Sequence, residues 1–147
     1  MLGQGTLPGT RRTFVGTLEE LTPQACHDLV ARHQVGRLAL ATPDGLRIYP
    51  VSYVLRDDAV VFRTTPYGEI AHHAPDAQVA FSVDDLDVDL RSGWHVLLVG
   101  TCRRIEDPEE VRAIREVSDP EPWAQAQRTM YFRLTYDEAT GRRVVPD

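Results

Sequence analysis

Apolar residues fall along this chain in short runs separated by turn-forming clusters, and the spacing within each run decides which element it predicts. Thr22-Pro23 opens the first, since Thr is a good N-cap and Pro suits the first helical turn. Ala25, Cys26, Leu29 and Val30 then recur at helical spacing, which predicts a short amphipathic helix up to His33. Val35 to Ala41, VGRLALA, is an apolar run short enough for a strand. Leu46 to Leu55, LRIYPVSYVL, is rich in β-branched and aromatic residues and reads as a second strand. Between them Thr42-Pro43-Asp44-Gly45 forms a turn, Pro presetting φ and Gly accepting a positive one. Pro50 has no N–H to donate, so it belongs at an edge or a bulge. Arg56-Asp57-Asp58 turns the chain into Ala59 to Thr64, AVVFRT, and the three strands form a meander.

Thr65-Pro66-Tyr67-Gly68 interrupts the pattern, and Glu69 to Ala74 reads as a short helix. Gln78 to Val83, QVAFSV, is a fourth strand, after which Asp84, Asp85, Asp87 and Asp89 predict a solvated loop. Trp94 to Ile105 is a long fifth strand, apolar on both faces at Val96, Leu97, Leu98 and Val99. A helix follows Asp107-Pro108, with Val111, Ile114 and Val117 spaced along it, and a Pro-rich linker runs from Asp119 to Trp123. A sixth strand spans Met130 to Tyr136, followed by a turn at Ala139-Thr140-Gly141. Short, numerous strands with three short helices predict a mainly β (α+β) domain, closed as a small six-stranded antiparallel barrel or sandwich. Residues 1–17 read as a loose polar arm and 18–147 as a single domain.

Composition narrows the function. With 42% hydrophobic and 26% charged residues in 147, the chain is globular and has room for one domain. The longest apolar runs are too short to span a bilayer, and the first residues lack the apolar segment of a signal peptide, so the expected compartment is the cytoplasm. The formal net charge is −6, and the 16 basic residues are all Arg, scattered among acids rather than gathered on one face. That argues against a nucleic-acid partner, whose phosphates need a basic surface. Cys26 and Cys102 have no CxxC spacing and read as two small buried residues in a reducing compartment.

Most candidate chemistry is excluded by spacing. His72 and His73 are adjacent, so on a helix they diverge by about 100° and do not share a metal. The acidic segment lacks the central Gly and terminal Glu of a calcium loop. No nucleophile elbow, phosphate-binding P-loop or dinucleotide fingerprint occurs. What remains is Phe62-Arg63-Thr64-Thr65, an Arg and two hydroxyls at a strand end before a helix. A guanidinium with neighbouring hydroxyls is a donor set suited to phosphate.

Several segments, in order, resemble the pyridoxamine 5′-phosphate oxidase-like family of FMN-binding split barrels in its short actinobacterial form. They are VGRLAL at 35–40, YPVSYV at 49–54, VVFRTTP at 60–66, QVAFSVDDLD at 78–87, GWHVLLVGTCRRIEDPEE at 93–110 and TGRR at 140–143. The likeness covers roughly residues 18–145. It implies a six-stranded split barrel with short flanking helices, working as a homodimer with a composite cofactor site. Arg63 and Thr64 would hold the phosphate of FMN, and Pro50, Val51 and Ser52 would lie along the flavin ring. Trp94 and His95 would approach from the other subunit, His95 as a candidate proton donor or polar anchor. The implied activity is a flavin-dependent oxidoreductase, reduced by NAD(P)H and acting on a small molecule. The alternative is a non-catalytic barrel that binds a deazaflavin or haem, or has lost FMN. One departure favours that alternative: Glu69 stands where the family often carries a Lys or Arg as a second phosphate ligand.

Overall fold

The computed structural model describes residues 16–117, 119–121 and 129–146. The elements are β1 (Thr17–Glu20), α1 (Pro23–Ala31), β2 (Val35–Thr42), β3 (Gly45–Arg56) and β4 (Ala59–Thr64). Then come α2 (Glu69–His73), β5 (Gln78–Asp87), β6 (Ser92–Ile105), α3 (Pro108–Val117) and β7 (Met130–Val145). Every pairing is antiparallel, in the order β1-β7-β4-β3-β2-β5-β6, with β6 also paired to β7. Six strands therefore close a ring and β1 is an addition on β7. This is a split barrel, with one strand more than the sequence predicts.

Local chemistry starts α1, β2, β4, α2 and β5 where they were expected. Thr22 caps α1, its Oγ1 accepting from the Ala25 N–H at 3.1 Å. Gly45 closes the first hairpin with φ of 113°, and Asp57 turns the second with φ of 54°. Inward side chains fill the ring: Leu38, Val60, Phe81, Val96, Leu98 and Leu134 are each at most 1% exposed. Phe62 stacks on Phe132 with ring centroids 5.6 Å apart, and Tyr53 meets Phe81 edge-on at 5.1 Å. Cys26 and Val30 of α1 join this core, and Tyr53 Oη donates to the Val30 carbonyl at 2.5 Å. A second cluster, Val61, Ile105, Ile114 and Tyr131, seats α3 on the outside, so β4 is buried on both faces.

Four expectations are corrected. The helix ends at Ala31 rather than His33, with Arg32 as its C-cap. Asp84, Asp85 and Asp87 lie within β5, not in a loop, because β6 pairs with β5 as far as Asp87↔Ser92. Ala139-Thr140-Gly141 is continuous strand rather than a turn, held by pairing to Leu98, Leu97 and Val96. Val117 of α3 is 77% exposed and does not reach the core. Part of the Pro-rich linker, including Trp123, lies outside the described residues, as do residues 1–15.

Both cysteines are free and buried. Burial first, with the Asp76 charge adding to it, pushes the Cys102 thiol up to about 12 from 9.0, and burial likewise raises the Tyr53 phenol. A raised folded-state value means the contribution to stability is complete below the ordinary thiol range and is lost as pH rises through the folded value. The urea midpoint is therefore expected to fall between pH 9 and about 12, and to fall less steeply in Cys102→Ala.

Candidate functional site

The opening of the barrel is set by where β3 loses a neighbour. Its pairing with β4 runs from Arg56↔Ala59 only to Tyr53↔Phe62, whereas its pairing with β2 continues to Thr42↔Gly45. Residues 45–52 therefore present a free edge on the β4 side. Pro50 lies on this stretch, which is the edge position expected of it. The Tyr53 N–H donates to the Gln34 carbonyl at 2.9 Å, on the β2 side. Because antiparallel backbone groups alternate in direction, Ile48, Pro50 and Ser52 turn theirs toward the split. Val51 turns its own toward β2 and buries its side chain, 8% exposed.

Continuing the register past Tyr53↔Phe62 would set Ser52 opposite Arg63 and Val51 opposite Thr64. The two expected segments are thus opposing lips of one opening. Successive strand residues face opposite sides. Thr64 is buried on the inner side, and Arg63 lies outward beside α3. There its guanidinium pairs with Asp119 at 2.9 Å and stands 5.2 Å over the Tyr131 ring. Tyr131 Oη in turn donates to Asp119 at 2.7 Å and accepts from Arg115 at 3.0 Å. Any group held by both Arg63 and Thr64 must sit beyond the end of β4.

Trp94 and His95 are elsewhere. Ser52 pairs with Val35 on β2 and His95 with Asp84 on β5, so three strand spacings, roughly 14 Å at about 4.8 Å each, separate β3 from β6. One protomer does not bring them to the β3 edge. Trp94 points inward, its ring edge-on to His33 at 4.7 Å, while His95 is exposed on the outer face.

A polar cluster guards the mouth of the split. Arg47 and Tyr49 share the inner face of β3, and α2 places Glu69 against both. Tyr49 Oη donates a hydrogen bond to Glu69 Oε1, and Arg47 Nε lies 3.3 Å from the same oxygen. The Tyr49 bond first, then Arg47 and His73, hold the Glu69 carboxyl below the usual carboxylate range against partial desolvation. The same bond raises the Tyr49 phenol. Among the described residues no group of three or more His, Cys, Asp or Glu could hold a metal. No helix among them is long and apolar enough to cross a membrane.

Residues 22–143 match the pyridoxamine 5′-phosphate oxidase family. The chain belongs to that family. Among its relatives, this family member is 28% identical to the uncharacterized protein Rv0080 of Mycobacterium tuberculosis, over 95% of this chain and 96% of the relative. A conserved protein of unknown function from Corynebacterium diphtheriae shares its structure with a TM-score of 0.70 and 28% identity, over 87% of this chain and 98% of that one. The FAD binding protein of Mycobacterium smegmatis matches with a TM-score of 0.67 and 25% identity, over 86% and 98% of the two chains.

Two polar residues of the opening escaped sequence reasoning. Arg47 and Tyr49 lie on a strand whose composition reads as structural, and their partner Glu69 is far along the chain, 20 residues from Tyr49. The available signal was parity: Arg47, Tyr49 and Val51 alternate onto the face that lines the barrel.

Proposed function

We propose that this member of the pyridoxamine 5′-phosphate oxidase family is a flavin-binding protein, working as a homodimer with FMN in a composite site between its subunits. The observation that carries the reading is the free edge of β3 across the split from the end of β4. Its backbone offers the Ser52 N–H and C=O and the Pro50 C=O. Alternating donors and acceptors on a rigid edge suit the polar rim of an isoalloxazine, so the residues present fit the group. Arg63 and Thr64 would take the phosphate beyond the end of β4. His95 of the partner subunit, exposed on the outer face, would approach the ring and offer a proton or a polar contact, while Trp94 packs into its own barrel. When bound, the flavin supplies hydride transfer between NAD(P)H and a small-molecule substrate, and the chain supplies orientation and electrostatics. The FAD binding protein of Mycobacterium smegmatis, similar over nearly its whole length, supports a flavin ligand.

The dimer is argued from the outer face of the sheet. Ile48, Ala39, Ala80 and Val99 form one apolar row across β3, β2, β5 and β6, with Leu97 beside it. Leu46 is 80% and Ile48 66% exposed. Contiguous apolar surface of this kind marks an interface, and the covering surface assigned to it is a second copy of the same face. Size-exclusion chromatography with light scattering, read for flavin absorbance, tests both halves of the reading. The expected result is a peak of twice the chain mass that binds FMN and elutes yellow. A monomer mass overturns the composite site, and a dimer that takes up no FMN overturns the flavin. The second reading, a barrel for deazaflavin or haem or one without FMN, is favoured by the negative charge of Glu69 at the opening. Weighing the ligand released from purified protein separates the two.

A further inference from the structure

The opening holds a cation and a hydroxyl donor, and one carboxylate of the same chain engages both. Arg47 Nε and Tyr49 Oη converge on Glu69 Oε1, with His73 close enough to stabilise its charge. The side chains are about one-third exposed, 36% for Arg47 and 35% for Glu69, so a ligand in the split reaches them without unfolding anything. Both partners hang from the inner face of β3, on the stretch whose edge is free, and Glu69 is fixed by α2, whose Ile70 is buried in the core. The arrangement is an anion seat whose occupant is already covalently part of the protein.

We propose that Glu69 is an internal competitor for the anionic end of the ligand, making bound FMN exchangeable rather than resident. This rests on the flavin reading above. A phosphate held by Arg63 and Thr64 would find Arg47 and Tyr49, a further cation and a hydroxyl donor, already taken. To use them it must displace the carboxylate, and the displaced carboxylate stays tethered within a few ångströms of the new dianion. Like charges juxtaposed in a partly desolvated site are costly, and this cost is absent for a flavin whose tail ends in neutral hydroxyls. The penalty therefore falls on FMN and spares riboflavin, setting a preference through one side chain.

Titrating FMN and riboflavin into the wild-type protein, Glu69→Gln and Arg47→Gln/Glu69→Gln tests this. Glu69→Gln keeps the size of the side chain and its capacity to accept from Tyr49. It is expected to tighten FMN roughly tenfold while moving riboflavin less than about twofold, with the gain shrinking as salt is raised. In the double variant most of the FMN gain is lost, because the freed guanidinium is what adds a second cation to the phosphate held by Arg63 and Thr64. An unchanged ratio of FMN to riboflavin affinity in Glu69→Gln, with both ligands still bound, overturns the competitor and leaves the flavin reading standing. Retention of the full gain without Arg47 overturns the assignment of the anion seat. Failure of all three proteins to bind either flavin overturns the flavin reading and the competitor together.

Discussion

Gly100→Ala is expected to destabilise the barrel by about 3 kcal/mol, a large fraction of the roughly 5–15 kcal/mol that holds a domain folded. Gly100 sits on β6 where the ladder to β7 slips, Val99 facing Glu138 and Gly100 facing Tyr136. A Cβ there would lie 2.0 Å from the Thr135 carbonyl oxygen and 2.6 Å from the Tyr136 Cα. Both obstacles are backbone, so no rotamer change relieves them. Nor can β7 recede, because its other edge is paired to β4 through Ala59↔Thr135 and the pairs beyond it. In an open sheet an outer strand could shift outward; in a closed ring the strain passes to the next ladder. Gly68→Ala is the control: its Cβ would meet only Thr65 Oγ1 at 3.6 Å, and φ there is −89°. It is expected to cost less than about 1 kcal/mol, the difference between Gly and Ala at a helix N-cap. Urea unfolding of both variants, followed by circular dichroism, checks the contrast. Equal midpoints would mean that the β6–β7 approach is looser than these distances require.

Gly100 also illustrates what the sequence could and could not disclose. Elements specified by their own residues were legible: the Thr22 cap, the positive φ at Gly45, and AVVFRT as a strand with bounds at Ala59 and Thr64. Elements specified by a distant partner were not. Asp84, Asp85 and Asp87 look like a loop, yet they extend β5 because His95, Trp94 and Ser92 lie opposite. Ala139-Thr140-Gly141 looks like a turn, yet β6 pairs with it on one side and β1 completes the end of β7 on the other. Backbone pairing is indifferent to side-chain polarity, so a polar strand facing solvent carries little local signal. The opening of the barrel follows the same division. Arg63-Thr64 was conspicuous as a motif, and the Pro50 edge followed from a missing N–H. The partnership of Arg47, Tyr49 and Glu69 depends on how α2 lies over the ring, which no local pattern records.

Arg63→Ala is expected to weaken FMN binding by roughly ten- to a hundredfold, the loss of one charge-assisted bidentate contact. Riboflavin, which lacks the phosphate, should change far less. The structure adds a competing role, because Arg63 is also clamped between Asp119 and the Tyr131 ring beneath α3. Removing it strips Asp119 of an ion-pair partner whose side chain is only 18% exposed, which by itself lowers stability. The two roles respond differently to Asp119→Asn. If the guanidinium serves the phosphate, neutralising Asp119 removes a rival anion and keeps the side chain in place, so FMN affinity holds or rises. If Arg63 is only a strut between β4 and the segment after α3, Asp119→Asn and Arg63→Ala lower the urea midpoint together, and FMN and riboflavin lose affinity equally. Thr64 gives an independent check, since its hydroxyl lies on the inner face, away from Asp119. Thr64→Val preserves shape and removes only the hydroxyl, so a loss of FMN affinity that spares riboflavin places the phosphate at the end of β4, where the two side chains can meet.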